Sequence, residues 1–345
     1  MDSGELAEFI HLQEAAVDAV TNRFYEEMSS IYISFGERGR KCCREDIQFT
    51  LDFLRPAIEF GFLQSFIDYL RWLTSVLSAR GIAAEHIITS LDWLEEFFSA
   101  HASLSGSQKI TRAITAAKTG LKAEAVMQLS AEIDKKMPLG WPEYNEFKEA
   151  LLQGDSRRAA EIFDARLKAG ASFLDVELHL VQPALYQVGR DWQENRVSVA
   201  QEHLATATAI TLMAQEFSSV GQAEANGKKA VFACIEGNEH DVGLRIVADA
   251  FEPQGWDVQF LGANIPTPEL VEQVKCWVPD LLGLSVAFPH QLRATREAIS
   301  QLHNELGKAC PAIMVGGLAF NALAVAPTLG ADVCISRCGR CSESK

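Results

Sequence analysis

Three short motifs toward the C-terminal end of the chain carry residue types that can hold a metal-bearing cofactor: His240-x-x-Gly243, Ser285-x-Ala287 and Gly316-Gly317. A neutral imidazole offers a lone pair to a transition metal. A serine hydroxyl can bond a polar tail, and paired glycines leave bare backbone against which a flat base can lie. Gly243 lets the start of a following helix approach such a group. Residues 244–284 and 288–315 separate the motifs, enough for a helix and a strand in each interval. Each motif sits just past a predicted strand. The set therefore describes a long slot beside a sheet, with an imidazole at its mouth.

The strands that position these motifs are short apolar runs at 230–235, 258–261, 281–285, 313–315 and 332–335, with helical stretches between them. That alternation predicts a flavodoxin- or Rossmann-like parallel sheet over 227–338, in which ligands bind past the carboxyl ends of strands. Residues 143–222 read as a four-helix bundle. Asp155 is its predicted N-cap, Ala171-Ser172 precede a further helix, and Pro183 kinks or ends that helix. Residues 1–135 read as an all-helical domain dense in aromatics, among them Phe24, Tyr32, Phe53, Tyr69 and Trp72. Gly36 and Gly39 are expected to interrupt an early helix, and 135–142, with two prolines and a glycine, to part the domains. The fold class is α plus α/β.

At 345 residues the chain has room for two or three domains. It is 48% hydrophobic and 22% charged, as ordinary globular proteins are. A net charge of −15 argues against an extended nucleic-acid surface. No apolar run is long enough to cross a bilayer, and the acidic N-terminus lacks a signal peptide's basic and apolar regions. The expectation is a cytoplasmic protein that binds neither membrane nor nucleic acid. Cys234, Cys276 and Cys310 are expected to be buried small hydrophobes.

The His240, Ser285 and Gly316 pattern resembles the cobalamin-binding domain shared by methionine synthase, corrinoid carrier proteins and cobalamin photoreceptors. The resemblance implies that His240 is the lower ligand of cobalt. It also implies that Asn238, Asp241, Val242, Gly243, Ser285, Ala287, Gly316 and Gly317 surround the cobalamin. Upstream, Trp192, Val199, Glu202 and His203 resemble the adenosyl-binding box of light-sensing cobalamin transcription factors. There the tryptophan packs on the 5′-deoxyadenosyl group and the glutamate bonds it, which implies adenosylcobalamin here. Two positions depart from the pattern. Asn238 stands where the family has an acid that orients the histidine, and its oxygen is expected to accept the ring N–H of His240. Gln193 stands where relatives have the histidine that caps cobalt after photolysis, leaving water or His179 for that place. Asp241 is expected to cap the helix after His240.

The N-terminal domain is not the winged helix of the DNA-binding relatives. A helical sensor domain joined to this cap and slot resembles the photocobilins, which hold both cobalamin and biliverdin. No motif identifies bilin-binding residues. Arg23, Arg38, Arg40, Arg55, Arg71 and Arg80 could meet propionates, and Cys42-Cys43 could attach a bilin, though ordinary solvated arginines and thiols explain them as well. A globin-like domain would need a proximal histidine within a helix, for which His11 and His86 are the candidates. Cys334, Cys338 and Cys341 have the spacing of a radical-enzyme iron–sulfur motif, but Cys334 falls within the last predicted strand, and a cluster is not expected.

The expected function is a non-enzymatic light sensor using adenosylcobalamin and biliverdin. It would be a homo-oligomer, dimer or tetramer, with light-dependent assembly and a fused or separate output domain. The rival is a corrinoid carrier subunit of a methyltransferase system.

Overall fold

The computed structural model describes residues 1–123, 140–321, 329–335 and 341–343. It divides into two units, Met1–Lys135 and Lys136–Lys345.

The first unit is helical throughout its described residues. α1 (Ser3–Glu27) starts from a capping box: the Asp2 carboxylate accepts the Glu5 N–H at 2.9 Å, and Glu5 accepts the Asp2 N–H at 2.8 Å. Gly36, at φ +63°, opens α2 (Gly36–Phe60). Gly39 does not interrupt the helix as expected. It lies inside α2, where a Cβ would come 2.2 Å from that of Phe35, so the glycine serves close packing. α3 (Leu63–Ser78), α4 (Glu85–His101) and α5 (Leu104–Ala123) follow. Rings fill the space between them. Phe9 stacks on Phe98 at 5.2 Å, Phe53 on Tyr69 at 4.0 Å, and Phe24 meets Trp93 edge-on at 4.6 Å.

The second unit begins with a helical bundle: α6 (Tyr144–Gln153), α7 (Ser156–Lys168), α8 (Phe173–Val176), α9 (Gln182–Gln193) and α10 (Val199–Phe217). Asp155 caps α7 as expected, accepting the Arg158 N–H at 3.0 Å. Pro183 neither ends nor breaks the helix around it. A wide π turn, Glu177–Val181, joins α8 to α9, with Pro183 in the first turn of α9. Proline lacks an N–H and crowds the carbonyl four residues back, and the wider turn accommodates both effects.

A polar linker leads to β1 (Lys229–Ile235), α11 (Val242–Phe251), β2 (Asp257–Ile265), α12 (Thr267–Trp277), β3 (Leu281–Ser285), α13 (Leu292–Leu306), β4 (Ala312–Gly316), α14 (Leu318–Asn321), β5 (Val333–Ile335) and β6 (Cys341–Glu343). The sheet order is β2-β1-β3-β4-β5-β6, parallel through β5, with β6 antiparallel at the edge. The parallel part has the flavodoxin-like order, whose chain direction reverses between β1 and β3. Edge strand β6 was not expected from the sequence. The central strands read as unbroken apolar runs because both faces are buried, as in Ala230 to Ile235. Cys234 is buried, but Cys276 is exposed and Cys310 half-buried, so the burial expected of these two fails. Cys276 lies in the last turn of α12, near enough to Glu272 for a 3.5 Å contact. No described helix is long and apolar enough to cross a membrane.

Candidate functional site

The register of the sheet brings the motifs together. Cys234 of β1 pairs with Ser285 of β3, which pairs with Gly316 of β4, so all three strands end side by side. The loops beyond them carry Asn238 to Asp241, Val286 to Phe288, and Gly317.

Asn238 is fully buried and links two of these loops. Its amide nitrogen donates to the Ser285 carbonyl at 3.0 Å, and its oxygen accepts the main-chain N–H of His240 at 3.0 Å. The expected bond to the His240 ring is therefore replaced. The side chain shapes the turn that carries the imidazole rather than fixing its tautomer. Gln291, unremarked in the sequence, performs a similar task. Its oxygen accepts the N–H groups of Ala287 and Phe288 at 2.9 and 3.0 Å, and its nitrogen donates to the Gly237 carbonyl at 2.7 Å. Asp241 occupies the N-cap position of α11 without a side-chain cap bond, so the expected cap is absent.

The His240 side chain is exposed and meets Phe288 edge-on at 5.2 Å. Surrounding protein still lowers its proton affinity, and the carboxylates of Glu202, Glu239 and Asp241 oppose that in part. Desolvation prevails, which favours the neutral imidazole that a metal requires. Val242 packs against the helical bundle, and Ala287 is buried. Around Gly243 a Cβ would meet nothing within 4 Å, leaving open approach to the helix start. Gly317 is different. It has φ +110°, and a Cβ there would stand 2.3 Å from the Val286 carbonyl oxygen, so the loop crossing itself demands glycine. A Cβ on Gly316 would meet only ordinary contacts, the nearest at 3.4 Å.

The bundle carries the second group. Ser198 opens α10 through a capping box with Gln201, and Val199, Glu202 and His203 then share one helix face. Val199 is 45% exposed. Glu202 accepts from Thr206 at 3.0 Å and touches the His203 ring. It lies near enough to His240 for its charge to oppose the loss of proton affinity there. Trp192 is half-buried at the end of α9. Asp191, beside it, went unremarked in the sequence. It is bonded by Lys148 at 3.0 Å, Gln187 at 2.9 Å and Arg196, and its carbonyl accepts the Arg196 N–H at 2.7 Å. Burial would raise its pKa, but these bonds outweigh that and hold it below the usual value. Asp191 thereby fixes the bend from Trp192 to Val199. His179 stacks on Trp141 at 5.4 Å, with Nδ1 2.9 Å from the Asp175 carbonyl.

Residues 228–339 match the B12 binding domain model, and residues 143–215 match a second B12 binding domain model. The chain is a cobalamin-binding protein. It is 28% identical over 198 residues to the HTH-type transcriptional repressor CarA of Myxococcus xanthus, covering 56% of this chain and 66% of the repressor. It is 26% identical over 186 residues to CarH of the same organism, covering 52% and 60%. A corrinoid protein of Desulfitobacterium hafniense is 24% identical over 177 residues, covering 50% and 82%. The chain thus spans about two thirds or less of the length of the two repressors. The structure of the Methanosarcina barkeri monomethylamine corrinoid protein aligns with a TM-score of 0.46 at 18% identity, over 56% of this chain and 91% of that one.

A cobalamin fits the residues present: a neutral imidazole at His240, open space at Gly243 and, on α10, the exposed Val199 and the Glu202 carboxylate. The matched regions leave Met1–Lys135 outside. There, Tyr32 bonds His86 Nδ1 at 2.9 Å and stacks with Phe24 at 4.8 Å. His86 lies in the first turn of α4 and His11 is exposed, so neither has the setting of a proximal haem ligand. Arg23 pairs with Glu27 and Glu96, Arg71 bonds Asp68 and the Gly120 carbonyl, and Arg80 bonds the Val76 carbonyl. Arg40 covers Tyr25 at 4.7 Å, and Arg38 is exposed. Burial raises the Cys43 thiol to about 12, against thiolate chemistry, while Cys42 is exposed. Sequence reading also missed Asp46, whose carboxyl burial raises to about 7 and whose charge reaches Tyr32 and Tyr69. Cys338 lies outside the described residues, and the side chain of Cys341 is not described.

Proposed function

We propose that this protein is a non-enzymatic light sensor using adenosylcobalamin, with a biliverdin held in Met1–Lys135. The observation that carries the reading is the Glu202 carboxylate of α10, close enough for its charge to act on His240. Bound adenosylcobalamin supplies a cobalt–carbon bond that light can break. His240 would hold cobalt from below, with Asn238, Asp241, Val242, Gly243, Ser285, Ala287, Gly316 and Gly317 around the ring and tail. Trp192 and Val199 would cover the adenosyl group, and Glu202, held by Thr206 and His203, would accept hydrogen bonds from its hydroxyl or amine groups. With no histidine at position 193, the vacated face would be left to water or to a rearranged His179. Loss of the adenosyl contacts would loosen the bundle from the slot and change self-association between dimer and tetramer. The bilin rests on the architectural resemblance and on the aromatic content of the first unit.

Spectra of the purified full chain before and after green light test this. Loss of the alkylcobalamin bands with release of an adenosine product supports the sensor, and sedimentation before and after light reads the assembly change. A far-red band after biliverdin addition supports the second chromophore. The second reading, a corrinoid carrier, is favoured by the match that covers 82% of a corrinoid protein. A light-stable methyl form that needs a partner methyltransferase would establish it instead.

A further inference from the structure

Two buried carboxyl groups play no part in the slot. Glu177 lies in the π turn of the cap and is fully buried, and Asp249 lies on α11 and is 3% exposed. Neither oxygen of either group receives a hydrogen bond from a described donor. Arg245 Nη2 stands 2.6 Å from Asp249 Oδ1 without the alignment of a hydrogen bond, so it supplies charge rather than a donor. The two carboxyls face each other within hydrogen-bond reach. Ionised carboxylates can only accept. Two of them in contact in a buried interface would repel and leave their lone pairs unmet. A proton on one provides the missing donor, and Arg245 balances the charge left on the other.

We infer that Glu177 and Asp249 share a single proton, and that this acid–carboxylate bond pins the helical cap to α11, making both positioning residues for His240. α11 starts two residues after His240, so its tilt sets where the imidazole stands. Ile246 of the same helix is buried among the cap's apolar residues, which places the pair inside the joint between cap and slot. Arg245 lies over Phe217 of the cap and Phe260 of β2, 5.4 Å from each. Burial, then the charge of Asp249, push the Glu177 carboxyl well above the usual range, and Arg245 opposes this. Other ionisable groups nearby face elsewhere: His179 toward Trp141, Lys148 toward Asp191 and Glu149, and Glu216 toward Asp164. The inference rests on cobalamin binding in the slot and not on light sensing.

A group with a raised folded-state pKa stabilises fully below the ordinary carboxylate range and loses that contribution as pH rises toward the folded value. The test uses the full chain without cobalamin, as wild type and Glu177→Gln, unfolded thermally between about pH 6 and about pH 9. Glutamine mimics the protonated acid. Wild type should lose stability with rising pH, releasing about one more proton on unfolding than the variant does, and Glu177→Gln should flatten that part of the slope. Hydroxocobalamin titration by absorbance supplies a second readout. Glu177→Gln should keep the affinity within about twofold, whereas Glu177→Ala should lose about tenfold. Equal pH slopes in wild type and Glu177→Gln would overturn the shared proton. Affinity equal in Glu177→Ala and wild type would overturn the positioning role. If Glu177→Ala does not fold, the Glu177→Gln slope still decides. Failure of the wild type to bind hydroxocobalamin would overturn the slot while leaving the unfolding comparison intact.

Discussion

In Met1–Lys135 the distinctive side chains pack on one another; in Lys136–Lys345 the distinctive residues stand on turns at strand ends. Phe9, Phe24, Phe53, Tyr69, Trp93 and Phe98 meet as stacked or edge-on pairs, and each is at most 9% exposed. His240 and Gly243, past the end of β1, are exposed instead, as is Val199 on the bundle helix α10. A helical core can satisfy its aromatics internally, so their density says little about a ligand. A parallel sheet leaves part of the loops at its carboxyl edge open, and unusual residue types exposed there report on function. The sharpest way to break the comparison is to remove the residue on which the second unit's reading depends. His240→Ala should weaken adenosylcobalamin binding by more than about 100-fold, above the range for partners beyond the metal ligand. The measurement is an absorbance titration, and hydrogen exchange in α1 to α5 should be unchanged. Retained affinity with an unaltered lower-ligand spectrum would move the site away from this loop.

A glycine in each unit sharpens the contrast. Gly317 and Gly36 both have positive φ, but a Cβ on Gly317 meets the Val286 carbonyl at 2.3 Å and one on Gly36 meets nothing within 4 Å. Gly317→Ala should destabilise the second unit by about 3 kcal/mol, because backbone must move, whereas Gly36→Ala should cost the first unit about 1 kcal/mol of conformational strain. Thermal unfolding followed by hydrogen exchange separates the units. Equal losses would mean that the crossing at Gly317 is soft. Gly317 would then be needed for the cofactor's tail alone, as the sequence motif suggests.

Much of the second unit was legible because its signals are local. Each strand is an apolar run, each motif follows one, and the register does the rest through the Cys234–Ser285–Gly316 row. The failures share a cause: they depend on what a side chain meets across the fold. Asn238 was expected to address the His240 ring. Instead it bonds main chain on both sides, because the Ser285 carbonyl lies 3.0 Å from its nitrogen. Gln291, Asp191, Glu177 and Asp249 were invisible for the same reason: nothing in their neighbours marks a polar residue as buried. Asn238→Asp tests the revised role. An acid there would set acceptor against acceptor at Ser285, so stability should fall by about 2 kcal/mol at neutral pH. If Asn238 instead addressed the His240 ring, as expected from the sequence, the acid would make the imidazole more basic, with tighter cobalamin binding and no loss of stability.

The smallest effect probes whether the first unit also holds a poised polar group beneath its aromatic packing. Asp46 is its counterpart to Glu177, a carboxyl that burial raises to about 7 from an ordinary 3.8, with nearby Glu45 raising it further and Arg80 opposing. The folded state therefore keeps its proton to higher pH than the unfolded chain. The associated stability is complete below about pH 3.8 and declines as pH rises through about 7, by at most about 1.4 kcal/mol per pH unit. Asp46→Asn should remove that decline, so the variant gains on wild type as pH rises and the gain levels off above neutrality. Hydrogen exchange in α2 peptides of the full chain, compared at about pH 6 and about pH 8 after correction for intrinsic exchange, reads it locally. Were a bilin held against Tyr32 and Tyr69, the Asp46 carboxyl, whose charge reaches both, would be one of the titratable groups near it. If Asp46→Asn flattens the pH response and leaves a biliverdin far-red band unmoved, the aromatics around it are core. A shifted band would put the chromophore against them, and the contrast between a self-packed first unit and an open second one would fail at that point.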